Sequence, residues 1–145
     1  MKNSIFLFTD IEGSTTLWEK FPERMRGALA QHDLILRRTI EARNGRVFKT
    51  VGDSFFAVFP AAGDAVAAAA DLQHRLLAEP WTEVGESLRV RIAIHAGPAE
   101  SRDGDYFGPT LNRLARIIAS AHGGQIVCRK RSSICSGLDC ELPRN

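Results

Sequence analysis

Three observations predict an α+β domain with a mixed sheet and helices packed on it. An unbroken apolar run at residues 5–9 (IFLFT) reads as a central strand covered on both faces. Two runs rich in β-branched and aromatic residues, 46–51 (RVFKTV) and 54–59 (SFFAVF), flank Gly52-Asp53, a strong two-residue hairpin signal. Strand patterns otherwise alternate with helical ones, so a hairpin sits inside what would be a βαβ series.

Taken in order, residues 15–20 give one or two helical turns after the first strand. Pro22 opens a long helix to about residue 42, because proline is tolerated in a first turn. Met25, Leu29, Leu36 and Ile40 supply its apolar stripe. Asn44-Gly45 stops it, with the glycine expected in the left-handed cap conformation. The hairpin follows. Residues 61–77 form an alanine-rich helix with Val66, Leu72 and Leu76 inward, small enough to lie close against the sheet. Residues 88–95 alternate Leu88, Val90, Ile92 and Ile94 with Arg89 and Arg91, the pattern of a half-buried strand. A turn leads to Gly108-Pro109, which starts a helix to about residue 121. Gly123-Gly124 ends it, and residues 125–128 make one further strand. This order is near the ferredoxin-like split βαβ pattern, with the helices expected on one face.

A chain of 145 residues suits a single domain, 1–145, with a real core. Its 44% hydrophobic and 25% charged content is ordinary for a soluble protein. A net charge of +2 is too mild to argue for nucleic acid. No apolar run approaches the ~20 residues of a membrane span. Asp10 cuts the N-terminal apolar run too short for a signal peptide, so a cytoplasmic location is expected. Cys128, Cys135 and Cys140 fit no CxxC zinc spacing, and an odd count does not suggest a disulfide framework; they read as reduced thiols. His32 and His74 fall in helical patterns, as structural or exposed residues, and His95 in a strand, as a packed one.

Asp10 and Asp53 each sit where a strand is expected to stop, which lets a carboxylate reach solvent. Two such carboxylates are what a hard divalent cation needs when water and phosphate complete its shell. Nucleotide phosphoryl chemistry is the first expectation. Lys49 precedes Asp53 by four residues, and residues 103–116 read DGDYFGPTLNRLAR. Together FTDIEGST, FKTVGD and DYFGPTLNRLAR resemble the class III adenylyl/guanylyl cyclase catalytic domain, in the right order, over about residues 4–128.

The resemblance implies that Asp10, Asp53 and the backbone carbonyl of Ile11 hold two Mg2+ or Mn2+ ions, which activate the ribose 3′-hydroxyl and neutralise the triphosphate. It also implies that Lys49 and Asp105 read the base. An independent chemical argument supports ATP. Adenine offers an acceptor at N1 and a donor amine at C6, which lysine and ionised aspartate complement. Guanine reverses both functions, and a site built on buried hydrogen bonds rejects the wrong partner. Asn112 and Arg116 are four residues apart and share a helix face, whereas Arg113 faces elsewhere. The resemblance gives this pair the ribose and the charge developing on the transferred phosphoryl group; the planar fork of arginine suits the latter. Gly108-Pro109 would aim the positive helix end at the same region. The implied activity is that of an adenylate cyclase, ATP to 3′,5′-cyclic AMP and pyrophosphate, at a homodimer interface. One chain would give Asp10 and Asp53, the other Lys49, Asp105, Asn112 and Arg116.

Each residue also has an ordinary role: Asp10 as a helix cap, Asp53 as a turn residue, Lys49 on an edge strand, Asp105 in a loop and Arg116 in a surface ion pair. Their joint occurrence in one pattern favours the functional reading. The resemblance departs after Cys128, where the family's C-terminal hairpin and its phosphate-binding lysine are expected to be missing; Arg129-Lys130-Arg131 reads as a solvated run. That departure keeps open a cyclase-like domain that binds nucleotide or dimerises without turnover. A second alternative is a haloacid dehalogenase-like phosphatase, since residues 10–15 (DIEGST) approach a DxDGT opening with Glu12 replacing the second aspartate. The mid-chain hairpin fits its doubly wound sheet poorly. No sensor segment is recognisable, so regulation is expected from a partner, from dimerisation or from further sequence.

Overall fold

The computed structural model describes residues 3–82, 84–85 and 88–128. Its elements run β1 (Asn3–Ile11), α1 (Ser14–Lys20), α2 (Pro22–Ala42), β2 (Arg46–Val51), β3 (Ser54–Phe59), α3 (Ala62–Ala78), β4 (Val90–Pro98), β5 (Glu100–Arg102), β6 (Asp105–Phe107), α4 (Pro109–Ala119) and β7 (Ile126–Cys128). The main sheet has the order β2-β3-β1-β4-β7. β1 is central and antiparallel to both β3 and β4, and only β7 lies parallel to its neighbour β4. This mixed sheet is the α+β architecture expected, and its antiparallel centre is incompatible with a doubly wound phosphatase sheet.

Alternation along β1 divides the core. Leu7 and Ile11 point to one face, where Met25, Leu36 and Ile40 of α2 and Leu72 and Leu76 of α3 cover them. Phe6 and Phe8 point to the other face, against Leu114 and Ile118 of α4. The helices are therefore not all on one face, as the element order suggested. A central strand apolar on both sides needs cover on both, and α4 supplies the second layer. β4 is likewise not half-buried: Ile92 and Ile94 face α2 and α3 while Ala93 faces α4.

Two smaller differences are local. At the end of α2 it is Asn44, with φ 65°, that takes the left-handed conformation. Gly45 serves close approach instead: a Cβ there would lie 2.5–2.6 Å from the Phe59 ring and the Ile40 side chain. Between β4 and α4, where a turn was expected, β5 and β6 form a separate two-stranded sheet. Asp103 (φ 51°) and Gly104 (φ 81°) make its turn, both in the positive-φ conformation of a type I′ hairpin. Among the described residues, no helix is long and apolar enough to cross a membrane. Cys135, Cys140 and the Arg129-Lys130-Arg131 run lie outside the described residues.

Candidate functional site

The residues singled out from the sequence gather on and around the face that carries α4. Asp10 lies within β1, one residue before its end, on the same face as Phe6 and Phe8. Its register partner on β4 is Arg91. The Arg91 Nε and Nη2 donate to Asp10 Oδ1 and Oδ2, each at 2.6 Å, a two-point pair. The side chains are only 24% and 20% exposed, so water screens the pair weakly. The Asp10 hydrogen bonds hold the Arg91 guanidinium above the usual arginine range. Asp10 does not cap α1, whose N-cap is Gly13 without a side-chain bond.

Asp53 approaches from the neighbouring strand. The β1–β3 register pairs Thr9 with Phe55, and continuing it two residues brings Asp53 opposite Ile11. Asp53 Oδ2 accepts the Ile11 N–H at 2.8 Å. The turn residue thus straps the end of β1 as well as closing the hairpin. Asp10 and Ile11 are neighbours on β1 and Asp53 is bonded to Ile11, so the two carboxylates and the Ile11 carbonyl are oxygen donors of the kind that would suit Mg2+ or Mn2+ rather than softer ions. Among the described residues no group of three or more His, Cys, Asp or Glu side chains is arranged to hold a metal by itself. Two carboxylates match ions whose remaining ligands are water and phosphate.

Lys49 and Asp105 come together from different sheets, with Lys49 Nζ 3.6 Å from Asp105 Oδ2. The ammonium also lies 5.9 Å from the Phe56 ring centre. At 46% and 29% exposure this pair contributes little to stability. α4 begins at Gly108 (φ 135°) with Pro109 in its first turn. Thr110 Oγ1 donates to the Pro98 carbonyl at 2.7 Å, and Gly97 leaves room for that threonine, since a Cβ would sit 2.5 Å from Oγ1. The helix start is thereby pinned to the end of β4. Asn112, Arg113 and Arg116 are exposed. Among the described residues, Asn112 and Arg116 make no side-chain hydrogen bond or ion pair, so Arg116 has no surface salt bridge there.

One chain therefore joins Asp10, Ile11 and Asp53 in one group and Lys49 and Asp105 in another, and it leaves Asn112 and Arg116 bound to neither. Sequence reasoning missed Arg91, treating it as the polar side of a half-buried strand. An arginine between Val90 and Ile92 in a strand with Ala93 and Ala96 beyond it was the available signal, since such a site requires a partner. It also missed Glu12, whose Oε2 accepts the Gly123 N–H and ties β1 to the loop before β7. His32 is fully buried beside Asp33 and against Phe55, and His95 is buried, as expected of structural histidines. Partial burial pushes the Cys128 thiol up, away from the thiolate form.

The family model described as the adenylate and guanylate cyclase catalytic domain matches residues 1–138. An uncharacterized protein of Mycobacterium tuberculosis is 43% identical over 123 residues, 83% of this chain and 40% of that protein. The chain thus spans about two fifths of the length of these curated relatives. An adenylate cyclase of Schizosaccharomyces pombe is 36% identical over 160 residues, covering 93% of this chain and 10% of that enzyme. Among solved structures, an adenylate cyclase of Trypanosoma brucei in its monomeric state matches with a TM-score of 0.80 and 29% identity, over 87% of this chain and 72% of that one. A guanylyl cyclase domain from Blastocladiella emersonii shares the fold, with a TM-score of 0.84 at 20% identity, over 93% of this chain and 84% of that one.

Proposed function

Because the chain belongs to the adenylate and guanylate cyclase catalytic domain family, we propose that it converts ATP to 3′,5′-cyclic AMP and pyrophosphate. The observation that carries the choice of ATP is the Lys49–Asp105 pair, a donor beside an acceptor at 3.6 Å. That pair offers adenine a proton for N1 and an acceptor for the C6 amine, and it would leave both groups of guanine opposed. The Schizosaccharomyces pombe and Trypanosoma brucei relatives, both named adenylate cyclases, support the same choice.

In the reaction the ribose O3′ forms a bond to the α-phosphorus as the bond to the bridging oxygen breaks, and pyrophosphate leaves. Asp10, Asp53 and the Ile11 carbonyl would hold Mg2+ or Mn2+, which when bound would make the 3′-hydroxyl more acidic, so that its proton passes to solvent, and would neutralise the triphosphate. Arg91 is the counter-charge of Asp10 before substrate arrives. Its planar fork, freed from the carboxylate, suits phosphate oxygens equally well. Asn112 would orient the ribose and Arg116 meet the charge that builds on the α-phosphoryl oxygens. Neither touches the carboxylate group of its own chain, which supports a site completed by a second copy, related by a two-fold axis that would generate two equivalent sites.

The test is to incubate the purified chain with ATP or GTP and each metal, and to measure cyclic product and pyrophosphate. Faster turnover of GTP overturns the base assignment. The occupation of both Asp10 oxygens by Arg91 favours one alternative, a domain that binds nucleotide without turning it over. Binding without product under all metal conditions selects that alternative.

A further inference from the structure

The Lys49–Asp105 pair is too exposed and too long to hold itself together, and β5 and β6 share no hydrogen-bond ladder with the main sheet. Something else must keep Asp105 over Lys49. Resting on the base-reading assignment above, we propose that Tyr106 is a positioning residue for purine selection, bracketing the β5–β6 hairpin against β2.

Three sets of contacts carry this. The Tyr106 ring packs edge-on against Phe6 and Phe48, with centres 5.2 and 4.8 Å away. Its hydroxyl accepts a hydrogen bond from Arg46 Nη2 at 2.9 Å, with that guanidinium 5.8 Å from the ring centre. Its backbone N–H donates to Asp105 Oδ1 at 2.7 Å, which turns Oδ2 toward Lys49. Tyr106 therefore fixes both where Asp105 sits and how its carboxylate is rotated.

β2 is shaped to receive it. Arg46 pairs with Val58 and Val47 with Ala57, but Lys49 pairs with Phe56, so the register slips by one residue at Phe48. Strict alternation would send Phe48 and Lys49 to opposite faces. The bulge lets both point to the face of α4: Phe48 reaches Phe6 and Tyr106, and Lys49 reaches Asp105. Arg46, Phe48 and Lys49 thus form a three-point seat for residues 105 and 106, entirely within one chain.

The experiment compares Tyr106→Phe, Tyr106→Ala and Tyr106→Leu with the wild type. The readouts are displacement of a fluorescent ATP analogue by ATP and by GTP, and kcat/KM for each nucleotide. Tyr106→Ala keeps the backbone N–H bond to Asp105 and is expected to lower the ATP-to-GTP preference about tenfold, by releasing the β5–β6 hairpin from Phe6, Phe48 and Arg46 so that Asp105 is no longer held beside Lys49. Tyr106→Phe keeps the ring and is expected to restore most of the preference, and Tyr106→Leu gives the ratio if the alanine variant does not fold. The Mn2+ concentration for half-maximal activity should not move. Equal losses toward both nucleotides, or an unchanged ratio, overturn the proposal. Lys49→Glu with Asp105→Ser is the control. If that variant alters the preference and the Tyr106 variants do not, only the positioning role falls. If it leaves the preference intact, the base-reading assignment falls and takes this proposal with it.

Discussion

Replacing Asp53 by alanine and by asparagine separates two roles that one carboxylate performs. Its Oδ2 accepts the Ile11 N–H at 2.8 Å, and Ile11 is buried. Alanine leaves that donor without a partner, at a cost of about 1–2 kcal/mol for a hydrogen bond to a charged acceptor. For a domain of 145 residues that is a fall in Tm of about 3–8 °C. Asparagine keeps a carbonyl oxygen at the same place, so its cost should be less than half as large. Both substitutions remove the charge proposed to hold the metal, and both should lower turnover about a hundredfold or more. Thermal unfolding followed by circular dichroism gives the first quantity, and cyclic nucleotide formation at saturating metal the second. Asp53→Asn should be nearly as stable as wild type and nearly inactive. An active Asp53→Asn protein would refute the metal role, and an alanine variant with unchanged Tm would refute the strap.

Three further outcomes are expected. Exchanging the base-reading groups by Lys49→Glu with Asp105→Cys should shift preference from ATP toward GTP, because donor and acceptor are swapped; competition between the two nucleotides checks it, and a retained ATP preference counts against the pair. Asp53→Ala and Asn112→Ala proteins should each be nearly inactive alone and recover roughly a quarter of wild-type activity when mixed, since about half the dimers carry one intact site. No recovery after demonstrated subunit exchange would mean that each site is built within one chain or that the two depend on each other. Arg91→Ala should unfold more easily without metal, by about 1–3 kcal/mol, because a largely buried carboxylate loses its partner. Mn2+ should then raise its Tm by more than it raises that of the wild type; equal shifts would show that Arg91 does not compete for Asp10.

The sheet was legible where local signals were strong. β2, β3 and α2 begin and end where Gly52-Asp53, Pro22 and Asn44-Gly45 indicate. The position of α4 was not read, because an apolar stripe tells which side of a helix is buried but not which face of a sheet it covers. The answer was present in Phe6, Leu7 and Phe8, which cannot all be sheltered from one side. β5 and β6 were missed because three-residue strands such as ESR and DYF carry almost no periodicity, although Asp103-Gly104 between them is a hairpin signal of the same strength as Gly52-Asp53. Within the site, residue identity was easier to read than partnership. Asp10 and Lys49 stand out in the sequence, but the Asp10–Arg91 register and the slip at Phe48 arise from strand pairing, which spacing along the chain does not encode.

The central place of β1 also sets a clock. Phe8 pairs with Phe56 on one side and with Ala93 on the other. Synthesis at about 5–20 residues per second leaves this apolar strand waiting roughly 5–20 s for its second neighbour. The segment that bears Asp10 is thus made before the strands that flank it and is among the last to be sheltered. Rapid pairing of β2 with β3 through their two-residue turn gives it an early template on one edge. Its other edge stays open to β4, and to any other strand, until residues 90–98 have left the ribosome.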